Sequence, residues 1–134
     1  VGVPSYVIAD GDRDGASRKH PGDKAKQANA ARSHETATKA LLSWLPAPGS
    51  VQAGSVPCVW GDPTVVTDRW CVFRDDLEAE LALWPEFMAE LGRYGEDLRS
   101  KNLAVFRSAA LDADLNGLPE SLKHLVAALG TFGR

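Results

Sequence analysis

Two stretches of this sequence combine acidic side chains with a spacing that could do chemistry. The first is Tyr6-Val7-Ile8-Ala9-Asp10-Gly11-Asp12-Arg13-Asp14-Gly15, an apolar run that ends on three alternating aspartates. Carboxylates at positions i and i+2 around the end of a strand can turn toward one point. Hard cations such as Mg²⁺ or Mn²⁺ prefer such oxygen donors. Asp10 and Asp12 are therefore candidate metal ligands, while Asp14 reads as an ordinary turn residue, since Asp and Gly are what turns favour. The second stretch is Trp70-Cys71-Val72-Phe73-Arg74-Asp75-Asp76-Leu77-Glu78-Ala79-Glu80-Leu81, again an apolar run entering a cluster of acids. Asp75 or Asp76 suits a helix N-cap, and acids in a first helical turn also favour the helix dipole, a plainer role for Glu78.

The elements that must position these groups follow from periodicity. Val3 to Ala9 reads as a short buried strand, with the aspartates at its carboxyl end. Asp23 to Leu45 reads as a helix with Ala25, Ala28, Ala31, Leu41, Leu42 and Leu45 on its apolar stripe, closed by Pro46 and Pro48. Val56–Trp60 and Thr64–Thr67, joined by Gly61-Asp62-Pro63, suggest a hairpin, and Trp70–Phe73 one more buried strand. Helices are expected over Pro85–Leu91, Glu96–Leu111 and Pro119–Leu129, the last with Pro119 near its first turn, where a missing N–H is harmless. Strands alternating with helices point to an α/β structure with a small, mainly parallel sheet flanked by helices. In such sheets ligands sit at the carboxyl ends of the strands, where Asp10 and Asp12 fall.

Composition narrows the function classes. The 134 residues amount to one domain, with 44% hydrophobic and 25% charged residues, as in soluble globular proteins. No apolar run approaches the roughly 18 residues of a membrane span. The formal charge of -3 supplies no global basic field for nucleic acid, so contact with DNA would rest on local cations or on metals. Cys58 and Cys71 are too far apart for a zinc knuckle or a CxxC pair, and with no leader-like segment in view both are expected to be reduced strand residues of a cytoplasmic protein. His20, His34 and His124 make no metal trio by spacing and read as surface or core fillers. Trp44, Trp60, Trp70 and Trp84 each sit in an apolar run and read as core rather than as base-stacking platforms. Lys101, taken alone, reads as a solvated helix residue.

Three families share the local pattern at Asp10. The run Asp10-x-Asp12-x-Asp14-Gly15 resembles half of a calcium-binding EF-hand loop, but the twelfth position is Pro21 where a bidentate Glu is required, and a strand precedes it. A haloacid-dehalogenase-type phosphatase also opens on a strand and DxD, although there a small residue and then Thr or Val normally follow, where this chain has Arg13 and Asp14. The third resemblance is the most extensive. YVIADGDRDGA resembles the DxD segment of TOPRIM domains, and Gly2-Val3-Pro4 its lead-in. Trp70 to Leu81 resembles the strand-to-helix segment of TOPRIM domains in OLD-family (overcoming lysogenization defect) nucleases, with its "D-hydrophobic-E" element. Leu98 to Ala109, with Lys101, resembles that family's lysine-bearing helix, and Leu118 to Leu129 its closing Pro-started helix.

The resemblance implies a metal-dependent DNA endonuclease that hydrolyses phosphodiesters with two Mg²⁺ or Mn²⁺ ions. It implies Asp10, Asp12 and Glu78 as metal ligands, with Glu80 and Asp76 as rivals of Glu78, and Lys101 as the catalytic cation that stabilises charge on the scissile phosphate. The implied domain is a partial TOPRIM-like unit over 1–134, with a hairpin insertion at about 50–67 and a helical insertion at about 82–100. The family's strand ending in Glu would precede Val1, and its ATPase domain would lie further upstream, so this chain is expected to be part of a longer protein and the fragment alone to be inactive. DNA is the implied partner, with no membrane and a homodimer as a possible assembly. Two readings from other classes stand beside it: a haloacid-dehalogenase-type phosphatase with Asp10 as nucleophile, and a non-catalytic remnant or interaction module.

Overall fold

The computed structural model describes residues 4–54 and 63–132. Among these, four strands form one sheet: β1 (Val7–Asp10), β2 (Val51–Ala53), β3 (Val65–Thr67) and β4 (Trp70–Phe73), in the order β1-β4-β3-β2. The helices are α1 (Gly15–Lys19), α2 (Lys24–Trp44), α3 (Leu77–Leu81), α4 (Pro85–Arg93), α5 (Leu103–Asp112) and α6 (Glu120–Thr131). The chain is thus a mixed α/β structure with a small sheet, as its alternating pattern predicts.

The sheet itself corrects one expectation. Instead of being mainly parallel it is mixed: β1 pairs parallel with β4, but β3 with β4 and β2 with β3 are antiparallel. The reason is the length of one connection. Only Asp68 and Arg69 separate β3 from β4, and so short a link can only reverse the chain, since a parallel crossover takes a dozen residues or more. Asp68-Arg69 lacks the Asn-Gly type of signature that marks two-residue hairpins. Thr67 stands in for it: its hydroxyl accepts from the Trp70 amide (2.9 Å) and the Arg69 amide (3.1 Å) and donates to the Trp70 carbonyl (2.9 Å). Of the hairpin expected around Gly61-Asp62-Pro63, the second strand is present as β3, whereas the first, Val56–Trp60 with Cys58, lies outside the described residues.

Alternation along the central strands assigns the two faces. Val66, Cys71 and Phe73 face Leu122, Leu125 and Ala128 of α6, while Val65, Trp70 and Val72 face Val7 and the end of α2 through Leu42 and Leu45. A second apolar cluster joins α4 to α5 around Trp84, Phe87, Leu91, Ala109 and Ala113, and Leu81 and Leu118 touch both it and the α6 face of the sheet. Trp70 and Trp84 are core residues, as expected, each with its indole N–H on a carbonyl, of Pro46 and Asp114 respectively, at 2.9 Å. Trp44 departs from that expectation, since it is 89% exposed. Ala25 and Ala28 are exposed too. The inward face of α2 runs instead through Thr38, Leu41 and Leu42 to Leu45 just past its end, and Trp44 points away from it.

Helix limits follow caps that the sequence displays. Asp23 caps α2 by accepting from the Lys26 amide, and Asp76 caps α3 by accepting from the Ala79 amide. Pro119 occupies the N-cap of α6. The expected helix Glu96–Leu111 is interrupted: Asp97 caps a short 3₁₀ turn, Leu98–Ser100, and Asn102 then caps α5 through the Val105 amide. Lys101 therefore lies in the turn between two capped elements rather than on a helix. Among the described residues no helix is long and apolar enough to cross a membrane.

Candidate functional site

The parallel pair β1 and β4 delivers both acidic stretches to the same end of the sheet, because parallel strands in register finish together: Asp10 stands opposite Phe73. The loops that follow are then laced by backbone hydrogen bonds. The amides of Gly11, Asp12 and Arg13 donate to the carbonyls of Phe73 (2.9 Å), Asp75 (2.9 Å) and Arg74 (3.3 Å). Gly11 is required at this approach, since a Cβ there would stand 2.5 Å from the Phe73 oxygen.

An open cleft of about 470 Å³ lies at this edge, lined by Asp10, Asp12, Asp75, Asp76 and Glu78 together with Arg18, Arg99 and Lys101. Asp10, Asp12, Glu78 and Lys101, the four residues singled out in the sequence, thus border one space although they come from three separated segments. Lys101 Nζ lies 2.9 Å from Glu78 Oε1. This contact holds the Glu78 carboxyl below its ordinary pKa and raises that of the Lys101 ammonium. Asp10 is pushed the other way. Partial burial, then the neighbouring charges of Asp12, Asp76 and Glu78, raise its pKa against the smaller opposing pull of Lys101.

Two non-glycine residues of the described chain have left-handed backbones, Asp12 at φ 53° and Lys101 at φ 48°, and both line the cleft. A Cβ is unfavourable in this region, less so for Asp than for Lys. Such conformations persist where the surroundings over-determine them, and they concentrate at functional sites.

The acids of the second stretch divide sharply. Asp76 uses Oδ1 to cap α3 and Oδ2 to meet Arg18 Nη2 at 3.1 Å. Glu80 turns away from the cleft. It is buried, accepting from the hydroxyls of Thr64 on one oxygen and Ser121 on the other, so it ties α3 to the start of β3 and to α6. Asp75 is buried as well, chelated by the Arg18 guanidinium and accepting from the Asp14 amide at 2.9 Å. Burial would raise its pKa, but the Arg18 and Asp14 hydrogen bonds outweigh it and leave the carboxyl below its ordinary value. Asp14 itself does not line the cleft; its carboxylate stands 3.7 Å from Arg74 Nη1.

Three neighbours of the cleft escaped the sequence reading. Arg18 and Arg99 line it, and His34, expected to be a filler, brings Nδ1 to within 3.6 Å of Asp12 Oδ2. Helical spacing from Thr38, Leu41 and Leu45 puts His34 on the inward face of α2, a signal that could have been read. His124 lies on α6 beside Glu120 and His20 at the end of α1, so the three histidines do not gather. Cys71 is fully buried in the sheet, where burial first and the charge of Glu80 second push its thiol up to about 12.

The donor chemistry of Asp10, Asp12 and Glu78 suits a hard divalent cation: all donors are oxygen, and the like charges that, after burial, raise Asp10 are what a dication relieves. Among the described residues, however, no three His, Cys, Asp or Glu side chains converge as a metal cage. Glu78 has one oxygen on Lys101, and Asp76 one on Arg18. The chain matches no protein-family model, no curated protein and no solved structure.

Proposed function

We propose that this cleft is the DxD-bearing part of a TOPRIM-type metal site of the OLD-family kind, and that the complete protein hydrolyses phosphodiester bonds in DNA. What supports the reading is that Asp10 and Asp12, read from their chemistry and spacing, and Glu78 and Lys101, implied by the TOPRIM resemblance, border one cleft at the carboxyl ends of a parallel strand pair. Asp10, Asp12 and Glu78 would hold Mg²⁺ or Mn²⁺. Divalent ions bound there would supply the positive field that a phosphodiester needs and acidify a water molecule.

The protein's own groups have separate tasks. Asp10 and Asp12 bring charge to the cleft from the end of β1 and the loop after it, and Glu78 from the first turn of α3. Lys101, paired with Glu78, is a cation on a flexible four-carbon stem; it can exchange that partner for a phosphate oxygen and neutralise charge growing there. The partners of this reading are DNA and, upstream, the ATPase domain that OLD-family nucleases carry.

The test has two stages. Calorimetric titration of the chain with Mn²⁺ is expected to give saturable binding that Asp10→Ala abolishes; no binding would leave a non-catalytic module. Nicking of supercoiled DNA by the full-length protein is then expected to fall at least 100-fold, as estimated for loss of one transition-state contact, in Asp10→Ala and Lys101→Ala. Undiminished nicking would sink the nuclease assignment. Turnover of small phosphomonoesters through a phospho-aspartate at Asp10 would favour the phosphatase instead.

A further inference from the structure

Asp75 joins the two loops of the cleft more completely than any residue so far given a role in it. Its main-chain oxygen accepts from the Asp12 amide and its Oδ1 from the Asp14 amide, each at 2.9 Å. Its carboxylate is itself held by the Arg18 guanidinium, which chelates both oxygens and reaches on to Asp76 Oδ2 at 3.1 Å. The Asp75 side chain is only 5% exposed, whereas that of Arg18 is half exposed. The left-handed turn at Asp12 is therefore bracketed by two amides that end on one buried residue, and that residue is fixed by a planar fork from α1.

We infer that Arg18 and Asp75 are positioning residues: they fix the turn at Asp12 and so set where its carboxylate stands on the lining of the cleft. This rests on the reading of the cleft as a divalent-cation site. Neither residue contributes donors of its own, because the Asp75 oxygens are taken up by Arg18 and the Asp14 amide.

Charge and position make opposite forecasts for Arg18. If it acts only as a positive charge beside the carboxylates, removing it must strengthen dication binding. If it positions Asp12 through Asp75, removing it must weaken binding, by about 10-fold or more on the scale seen for outer-shell partners of metal ligands. Arg18→Lys separates the two further, since it keeps the charge but loses the fork that chelates a carboxylate.

The experiment is Mn²⁺ titration calorimetry on the whole chain for wild type, Arg18→Ala, Arg18→Lys and Asp75→Asn, with amide hydrogen exchange followed by NMR on the same proteins without metal. All three variants are expected to bind Mn²⁺ about 10-fold more weakly or worse. Exchange at Asp12 and Asp14 is expected to accelerate about 10-fold or more beyond any change at Cys71 and Val72 in β4, which is local opening over and above any loss of global stability. Binding by Arg18→Ala as tight as wild type or tighter, or full rescue by Arg18→Lys, overturns the inference and leaves the cation site standing. Acceleration spread evenly over β4 as well also overturns it, since the pair would then be merely structural. A wild-type protein that binds no Mn²⁺ overturns the underlying reading of the cleft, and the inference with it.

Discussion

The α4–α5 cluster and the acidic cleft are neighbours along the chain and are built by opposite rules. Between α4 and α5, Phe87 is 1% exposed, stacks on Trp84 with centroids 5.6 Å apart and meets the edge of Phe106 at 5.9 Å, and the Trp84 indole is satisfied by the Asp114 carbonyl. Local preference, packing and hydrogen bonding agree there. Around the cleft they conflict: burial and neighbouring carboxylates raise the pKa of Asp10, and the left-handed backbones at Asp12 and Lys101 break a conformational rule. Consistency across levels is what a sequence needs to fold, and its violations mark the places kept for another purpose. The helical cluster stabilises the domain; the cleft draws on that stability.

The contrast is sharpest under a cavity mutation. Phe87→Ala is expected to cost about 3–5 kcal/mol, measured by urea unfolding, with Mn²⁺ affinity of the folded fraction close to wild type. Lost affinity at retained fold would mean the two regions are coupled. Next in size is Glu80→Ala, which leaves the buried Thr64 and Ser121 hydroxyls without their acceptor and is expected to cost about 2–3 kcal/mol. If Glu80 were a metal donor instead, this variant would lose Mn²⁺ binding, and calorimetry distinguishes the two.

Asp10 and Asp75 carry the same comparison within one residue type. The Asp75 carboxyl lies below its ordinary value of 3.8, so its ionised form stabilises the fold above that pH and the contribution is lost as pH falls through the lower, folded value. Asp75→Asn should therefore destabilise at pH 7, by about 2 kcal/mol for hydrogen bonds to a charged group, and the deficit should close in acid. The Asp10 carboxyl lies above 3.8 because burial and like charges disfavour ionisation. Its ionised form costs stability, so Asp10→Asn should stabilise slightly at pH 7, and the gain should vanish as pH falls below 3.8. Unfolding midpoints of both variants across pH 3–7 check the pair of signs; two changes of the same sign would remove the distinction between clamp and cleft.

The sequence of these acids reveals their presence better than their roles. The strand before Asp10, a helix N-cap at Asp75 or Asp76 and the buried strand Trp70–Phe73 are local patterns, and local patterns were legible. The roles of Asp75, Asp76, Glu78 and Glu80 depend on partners far away in the chain: Arg18, Lys101, Thr64 and Ser121. No spacing within Arg74–Leu81 announces them. The antiparallel pairing of β3 was hidden for a related reason, since the Thr67 side chain, rather than a familiar turn dipeptide, closes that hairpin. The interruption at Lys101 was in fact displayed, by Asp97 and Asn102 as successive caps, and the apolar period of the flanking segments masked it.

That interruption supplies the smallest and most discriminating effect. Lys101 sits at φ 48°, a conformation that glycine adopts freely, and its side chain is largely solvated, with one ion pair to Glu78. Surface ion pairs contribute little to stability. A position selected for folding alone would favour glycine here, as in many turns that end a helical segment. Lys101→Gly is therefore expected to leave the thermal unfolding midpoint unchanged or to raise it, while DNA nicking falls as far as in Lys101→Ala. If Lys101→Gly instead lowers the midpoint clearly, the ammonium is structural: its contact with Glu78 would hold the cleft together, and the division between a stabilising helical cluster and a strained functional edge would fail at its most exposed residue.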